Sequence, residues 1–460
     1  MEKKRKLKFP DTAFLLMVII FIAALLTYIV PAGEFDRITD EETGRTLVQA
    51  GTYHLTQGNP TSLVELMSSV FRGLVRASEI VAFVFVVGGS FGIVSRTGAI
   101  AAGISALIKK LHGSESILIA LIMTVFAICG ATFGMAEESL PFVVILVVAA
   151  LKMGYDPIVG VSMVVVGIYC GYSPGPLNPF NTGIAQGIAE LPTFSGIGLR
   201  LLLMVGALII AIFFTIRHGH KYKKENNDND AILATYEIPE ERDLNKTDIL
   251  VLLTLAATII GLIFGVVKYG WYFIEISALF FGMGILVGFI YHKTNLEKIA
   301  LDFVAGACEM TTAAIFIGLS RAILVILEDG IIMDSIVYYL SLPLGKLNNV
   351  FGAWGIYISQ GLINIFIPSS TGQAVVVMPI LSPLSDVINV SRQTAVLAYQ
   401  AGDGFWNMIT PTHSVLMASL GLAKVPFGKW FKFAFPLVLA WTIWVFVVLA
   451  IAVIIGYGPF

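Results

Sequence analysis

Long apolar blocks alternate with short polar ones along the chain, and most of the apolar blocks have the length of a membrane span. Uninterrupted blocks fall at 12–32, 79–96, 196–217, 248–267, 271–291, 309–327 and 430–457. Roughly 20 helical residues at 1.5 Å each cross the hydrocarbon layer. Four other blocks do not fit one crossing. Residues 116–151 and 350–383 are too long for one span and too short for two, so each predicts a re-entrant hairpin. Gly130, Gly134 and Pro141 are the helix breakers around the first tip. Residues 157–190 and 391–420 have Gly, Pro and polar residues at their centres and predict helices broken inside the membrane, which requires a covering of protein or a wet cavity. The count is nine crossings, two of them broken, and two hairpins.

The blocks repeat. Gly134, Ala136 and Pro141 in GMAEESLP match Gly372, Ala374 and Pro379 in GQAVVVMP at identical spacing, and Glu79, Gly88 and Ser90 match Glu309, Gly318 and Ser320. Downstream, Pro179 in NPFNTG pairs with Pro411 in ITPTHS after a six-residue drift. Three elements in the same order predict a first repeat at 1–217, a cytoplasmic linker at 218–247, an extra span at 248–267 and a second repeat at 268–460. The odd extra span inverts the second repeat. The predicted fold class is therefore an all-α polytopic membrane protein of two inverted repeats, each with a re-entrant helical hairpin and a broken transmembrane helix. Secondary transporters are built this way, with the substrate site near the midplane.

Composition sharpens this picture. Of 460 residues, 57% are hydrophobic and 13% charged, with a mean hydropathy of +0.85, which excludes a soluble or nucleic-acid-binding protein. The net charge of -2 decides nothing. Cys129, Cys170 and Cys308 lie in apolar stretches and do not form a disulfide framework or a thiolate cluster. The basic start MEKKRKLKFPD, Lys109 with Lys110, the run from Arg217 to Lys224 and HKTNLEK at 292–298 mark the cytoplasmic side by the positive-inside rule. The segment 33–60, with five acidic residues and two arginines, belongs outside. These signs put the N-terminus in the cytoplasm and the C-terminus outside. Residues 61–76 read equally as an interfacial or a partly buried helix.

Candidate chemistry lies in the breaks. Glu137, Glu138 and Ser139 stand in the middle of the first hairpin, where an ionised carboxylate costs at least about 3 kcal/mol, so a functional site is the default reading and a structural ion pair or helix cap the alternative. Asn178, Asn181 and Thr182 occupy SPGPLNPFNTG; Ser369, Ser370 and Thr371 occupy IPSSTGQ. Asp403, Asn407, Thr410, Thr412 and His413 occupy AGDGFWNMITPTHS. Unwound carbonyls and helix ends at such breaks can bind ions or an amino-acid carboxylate, although a Ser or Thr there commonly bonds only to its own helix. Glu79 and Glu309, at span ends, read as caps or interface anchors. Arg96 and Arg321 are placed nearer span ends than the centre, which leaves His413 as the one central group able to be positive. The central charge then favours a cation over a dicarboxylate.

The motifs GATFGMAEESLPF, SPGPLNPFNTGIAQ, IPSSTGQAVVVMPI and AGDGFWNMITPT resemble the YfcC-like family of bacterial transporters, over nearly the whole chain. That family is related to anaerobic four-carbon dicarboxylate carriers, includes arginine/ornithine antiporters and sits in the ion-transporter superfamily. Sodium-coupled dicarboxylate carriers of the superfamily have Ser-Asn-Thr at both hairpin tips. Ser369-Ser370-Thr371 is similar, whereas Ala136-Glu137-Glu138-Ser139 departs from that pattern. The resemblance implies a carrier of the bacterial inner membrane, not an enzyme. The expected function is arginine/ornithine-type antiport by alternating access, and the alternative is Na+- or H+-coupled transport of a dicarboxylate, peptide or other organic anion. An intramembrane aspartyl protease, raised by Gly402-Asp403-Gly404, lacks a second aspartate in a comparable setting. The expected partners are a cationic amino acid, the lipid bilayer and a second copy of the chain in a homodimer. No cofactor is expected beyond Na+ or H+ as a coupling ion.

Overall fold

The computed structural model describes residues 12–39, 46–100, 102–103, 106, 115–225, 243–347 and 349–458. The basic N-terminal tail, Lys109 and Lys110, Asn226 to Asp230 of the linker and Phe460 lie outside them.

The first long run contains α1 (Thr12–Ile29), α2 (Leu63–Arg76), α3 (Ser78–Arg96), α4 (Glu115–Phe133), α5 (Leu140–Lys152), α6 (Pro157–Tyr172, with a π turn inside it), α7 (Ile184–Ile188) and α8 (Ile197–Glu225). After α9 (Lys246–Tyr269) come α10 (Phe273–His292), α11 (Leu296–Glu309), α12 (Thr311–Asp329), α13 (Met333–Ser341), α14 (Asn349–Asn364), α15 (Ser370–Val387), α16 (Arg392–Trp406), α17 (Ser414–Leu422) and α18 (Phe427–Ile454). The fold is all-helical apart from two short antiparallel ribbons between residues 33 and 55.

Local chemistry sets the boundaries. Ser62 and Glu65 form a reciprocal capping box at the start of α2, as Asn245 and Asp248 do for α9. Asp156 caps α6 just before Pro157, the first helical position, where a missing amide costs nothing. Gly134 and Gly175 adopt φ of +66° and +47°, the left-handed region that lets the chain leave a helix sharply. The helix breaks predicted in the first hairpin and the first broken helix begin at these two residues.

Among the described residues, eight helices are long and apolar enough to cross a membrane: α1, α3, α4, α8, α9, α10, α12 and α18. Seven of the nine predicted crossings are among them, and the two broken helices are not, because each is divided into short pieces. The eighth is α4, a 19-residue hairpin arm followed by the 13-residue α5, where two arms of about 15 were expected. Gly130 does not break its helix. A β-carbon there would lie 2.3 Å from the Ile168 carbonyl oxygen, so this glycine lets α4 and α6 touch.

Contacts at the helix ends give each element a direction. At one face, Phe427 N donates to Thr12 Oγ1, His218 meets Asp156 at 3.0 Å, and Glu115 accepts from both Tyr155 and Lys223. At the other, Tyr457 bonds to the Gly196 carbonyl, Arg392 meets Glu190, and Asn349 N donates to the Ile388 carbonyl. The hairpin α4–α5 therefore starts and ends at the Thr12 face, and α14–α15 at the Tyr457 face. Residues 61–76 form α2, which packs antiparallel on α12, with Gly73 against Gly318 and ion pairs Arg72–Asp329 and Arg76–Glu328. Its Leu63, Val64, Met67 and Phe71 side chains remain exposed.

Burial divides the interior in two. One apolar cluster joins α1, both hairpins, both broken helices, most of α12, α8 and α18; the other joins α3, α9, α10, the starts of α5 and α12 and one face of α17, so α5, α12 and α17 belong to both.

Candidate functional site

The polar breaks converge on one cavity of about 210 Å³, below the size of a drug-sized pocket and suited to a small metabolite. Its walls come from the α2–α3 junction, the first hairpin tip, α6, α12, the second hairpin tip and the second broken helix.

Glu137 and Glu138 line it on the short helical turn Glu137–Ser139 that starts the return arm. Glu138 is tethered, its Oε2 accepting from the Ala136 amide at 3.0 Å, while Glu137 has no side-chain hydrogen bond or ion pair among the described residues. Ser369, Ser370 and Thr371 line the opposite wall, with Asn407, Thr412 and His413 beside them. Ser369 caps α15 through the Gly372 amide.

The second wall is wired to the first broken helix. Tyr172 donates to Ser370 Oγ at 3.0 Å, Thr371 donates to the Phe180 carbonyl at 3.0 Å, and Tyr169 bonds His413 Nε2 at 2.7 Å. Thr412 donates to the Ile365 carbonyl, which ties the second break to the second hairpin. Asp403 stands one layer behind the cavity wall: it is fully buried, and its Oδ2 accepts from Ser370 while Oδ1 has no partner.

Besides Asp403, five of the sequence candidates do not line the cavity. Ser139 donates to the Ala136 carbonyl and closes its own turn. Asn178 caps the turn at Phe180, and Thr410 bonds back to the Trp406 carbonyl within its helix. Asn181 and Thr182 face the buried Arg200: Gln400 donates to both, and Arg200 donates to Gln400, to Gln393 and to the Pro174 carbonyl. These residues join the two broken helices to α8 rather than line the cavity.

The placement of Arg321 near a span end is corrected. It lies near the middle of α12 and lines the cavity, held there because α12 ends at Asp329 under the ion pairs of α2. Arg96 does sit at the end of its helix, paired to Glu309 at 3.0 Å. Tyr169, Tyr172, Phe180 and Tyr272 also line the cavity and were not anticipated. Counting positions inside the apolar block 309–327 is the signal that finds Arg321. No comparable signal marks the tyrosines, because which face of a broken helix turns inward depends on partners distant in sequence. Among the described residues, no group of three or more His, Cys, Asp or Glu is arranged to hold a metal ion.

A family profile described as C4-dicarboxylate anaerobic carrier, DcuC, matches residues 9–454. An Escherichia coli K12 protein named "Putative basic amino acid antiporter YfcC" is 33% identical over 470 aligned positions, covering 93% of each chain. A Haemophilus influenzae Rd protein is 29% identical over 496 positions, covering 95% of each. Among solved structures, the YdaH transporter of Alcanivorax borkumensis aligns with a TM-score of 0.46 at 15% identity, covering 98% of this chain and 99% of that one. MtrF of Neisseria gonorrhoeae, from a class of antimetabolite efflux pumps, aligns with a TM-score of 0.45 at 16% identity, covering 98% and 96%.

Proposed function

The chain belongs to the DcuC family of membrane carriers, and we propose that within it this protein exchanges cationic amino acids of the arginine and ornithine type by alternating access. Membership makes it a multi-pass transporter of a small molecule rather than an enzyme. The observation that carries the finer reading is the pair Glu137 and Glu138 on one wall of a small internal cavity, with Asp403 one layer behind the opposite wall. A buried carboxylate is costly without a cation, and a guanidinium or ammonium side chain supplies one. The name of the Escherichia coli relative points the same way.

Alternating access is supported by the opposed entry of the hairpins. The hairpin α14–α15 runs against α4–α5, and α18 against α8, the relation expected between inverted repeats. Exchange needs no coupling ion when the empty carrier cannot reorient. Where an ion does couple, Na+ or H+, the buried carboxylate and amide oxygens with no partner among the described residues are Asp403 Oδ1, Asn364 Oδ1 and Gln373 Oε1.

Arg321 in the cavity favours a second reading, a carrier of dicarboxylates or other organic anions. Counterflow in proteoliposomes separates the two. Internal ornithine accelerating uptake of labelled arginine supports the first, while acceleration only by succinate supports the second. Repeating the assay with and without Na+ reads the coupling.

A further inference from the structure

Arg321 lines the same cavity as Glu137 and Glu138 but makes no hydrogen bond or ion pair among the described residues. By contrast Arg37, Arg72, Arg96 and Arg392 each meet a carboxylate within 3.0 Å, and the buried Arg200 donates to two glutamines and a carbonyl. A guanidinium carries five donors in a planar fork that fits a carboxylate bidentately. Leaving that fork empty inside a protein forfeits hydration without replacing it.

The two carboxylates do not fill it. They project from the first hairpin tip, Arg321 from α12, and no ion pair bridges the space between them. The cavity thus has an acidic wall and a basic wall. The matching positions of the other repeat differ: Glu137 and Glu138 align with Val375 and Val376, and Arg321 aligns with Phe91, whose ring packs on Phe142 and Phe280. Charge polarity is therefore not duplicated by the repeat. The occupant is bound in one orientation.

We propose that the Arg321 guanidinium holds the carboxylate of the transported molecule. This rests on reading the cavity as the carrier's substrate site and narrows the substrate: an amino acid whose side-chain cation meets Glu137 and Glu138 while its carboxylate meets Arg321. The same cation stripped of its carboxylate leaves the fork unfilled and is rejected.

The test titrates purified full-length protein with L-arginine and with agmatine, the same guanidinium chain lacking the carboxylate, reading binding as thermal stabilisation. Wild type binds arginine roughly tenfold to a hundredfold more tightly than agmatine, the range of one charge-assisted contact. Arg321→Met abolishes the advantage of arginine over agmatine without weakening agmatine, whose two positive charges Arg321 repels, and Arg321→Lys, with charge but no fork, recovers part of the difference. Equal binding of the two compounds by wild type, or equal loss of both in Arg321→Met, overturns the proposal. Should wild type bind neither, the cationic amino acid reading fails on its own and succinate decides the role of Arg321. Succinate binding lost in Arg321→Met then upholds it, and succinate binding that is absent or unaffected overturns it. Arg321 makes no hydrogen bond or ion pair among the described residues, and ligand-free melting temperatures, compared with that of wild type, separate a loss of fold from a loss of binding.

Discussion

Thr371, on the tip of the second hairpin, donates to the Phe180 carbonyl just past the first break, 191 residues earlier and 3.0 Å away. A hairpin rooted at one face is thereby latched to a helix that enters from the other. Ser370 adds a second tie through Tyr172.

If this tip is a gate, single cysteines replacing Ser369 or Thr371 react with a membrane-impermeant thiol reagent, and arginine slows the reaction. Thr371→Val removes one hydrogen bond of about 1 kcal/mol and speeds labelling of a cysteine at Ser369. Uniform inertness with and without arginine would show the tip to be a closed span.

Glu137→Gln and Glu138→Gln each lower arginine counterflow, by roughly tenfold or more if each carboxylate makes a charge-assisted contact to the substrate. Glu137 has no side-chain partner to strand, so its variant folds as wild type does, checked by its elution profile and melting temperature. Unchanged arginine affinity in the double variant would make the pair structural.

Two glycines separate packing from permissiveness. A β-carbon at Gly171 would stand 1.7 Å from the Ala127 carbonyl oxygen, so Gly171→Ala forces α4 from α6 and costs at least about 1–3 kcal/mol, lowering the melting temperature and the yield of folded protein. Gly187 has nothing within 4 Å of such an atom, and Gly187→Ala is neutral or stabilises by about 0.5 kcal/mol. Equal melting temperatures for the two variants would contradict the close approach.

Sidedness is tested with Glu190→Cys and Lys223→Cys, which lie at opposite faces. In intact cells the impermeant reagent labels the first and not the second. The reverse pattern inverts the orientation, and labelling of both refutes the placement of α8 as a span.

Spacing alone revealed much of this architecture. Gly134 and the Pro-Gly-Pro at 174–176 announce breaks because they forbid helix locally, and Glu137 with Glu138 announce a cavity because lipid will not take them. What escaped is set by partners far along the chain. Thr182 reads as a ligand until Gln400, 218 residues away, is seen to occupy it. Asp403 reads as a surface of the site until Ser370 is seen in front of it. Arg321 is the exception, because its depth is legible from its position inside the block 309–327, well away from either edge.

The two apolar clusters meet where the cavity lies, with Ile317 and Val415 from one and Tyr169 and Tyr172 from the other in its wall. That seam is stitched: α5, α12 and α17 give buried side chains to both clusters, and the Phe142 ring packs on Phe91 of one and Phe126 of the other. Any displacement of one interior against the other is therefore resisted at these three helices and at that ring, so the stiffness of the cavity wall is set where its two halves share residues rather than inside either half.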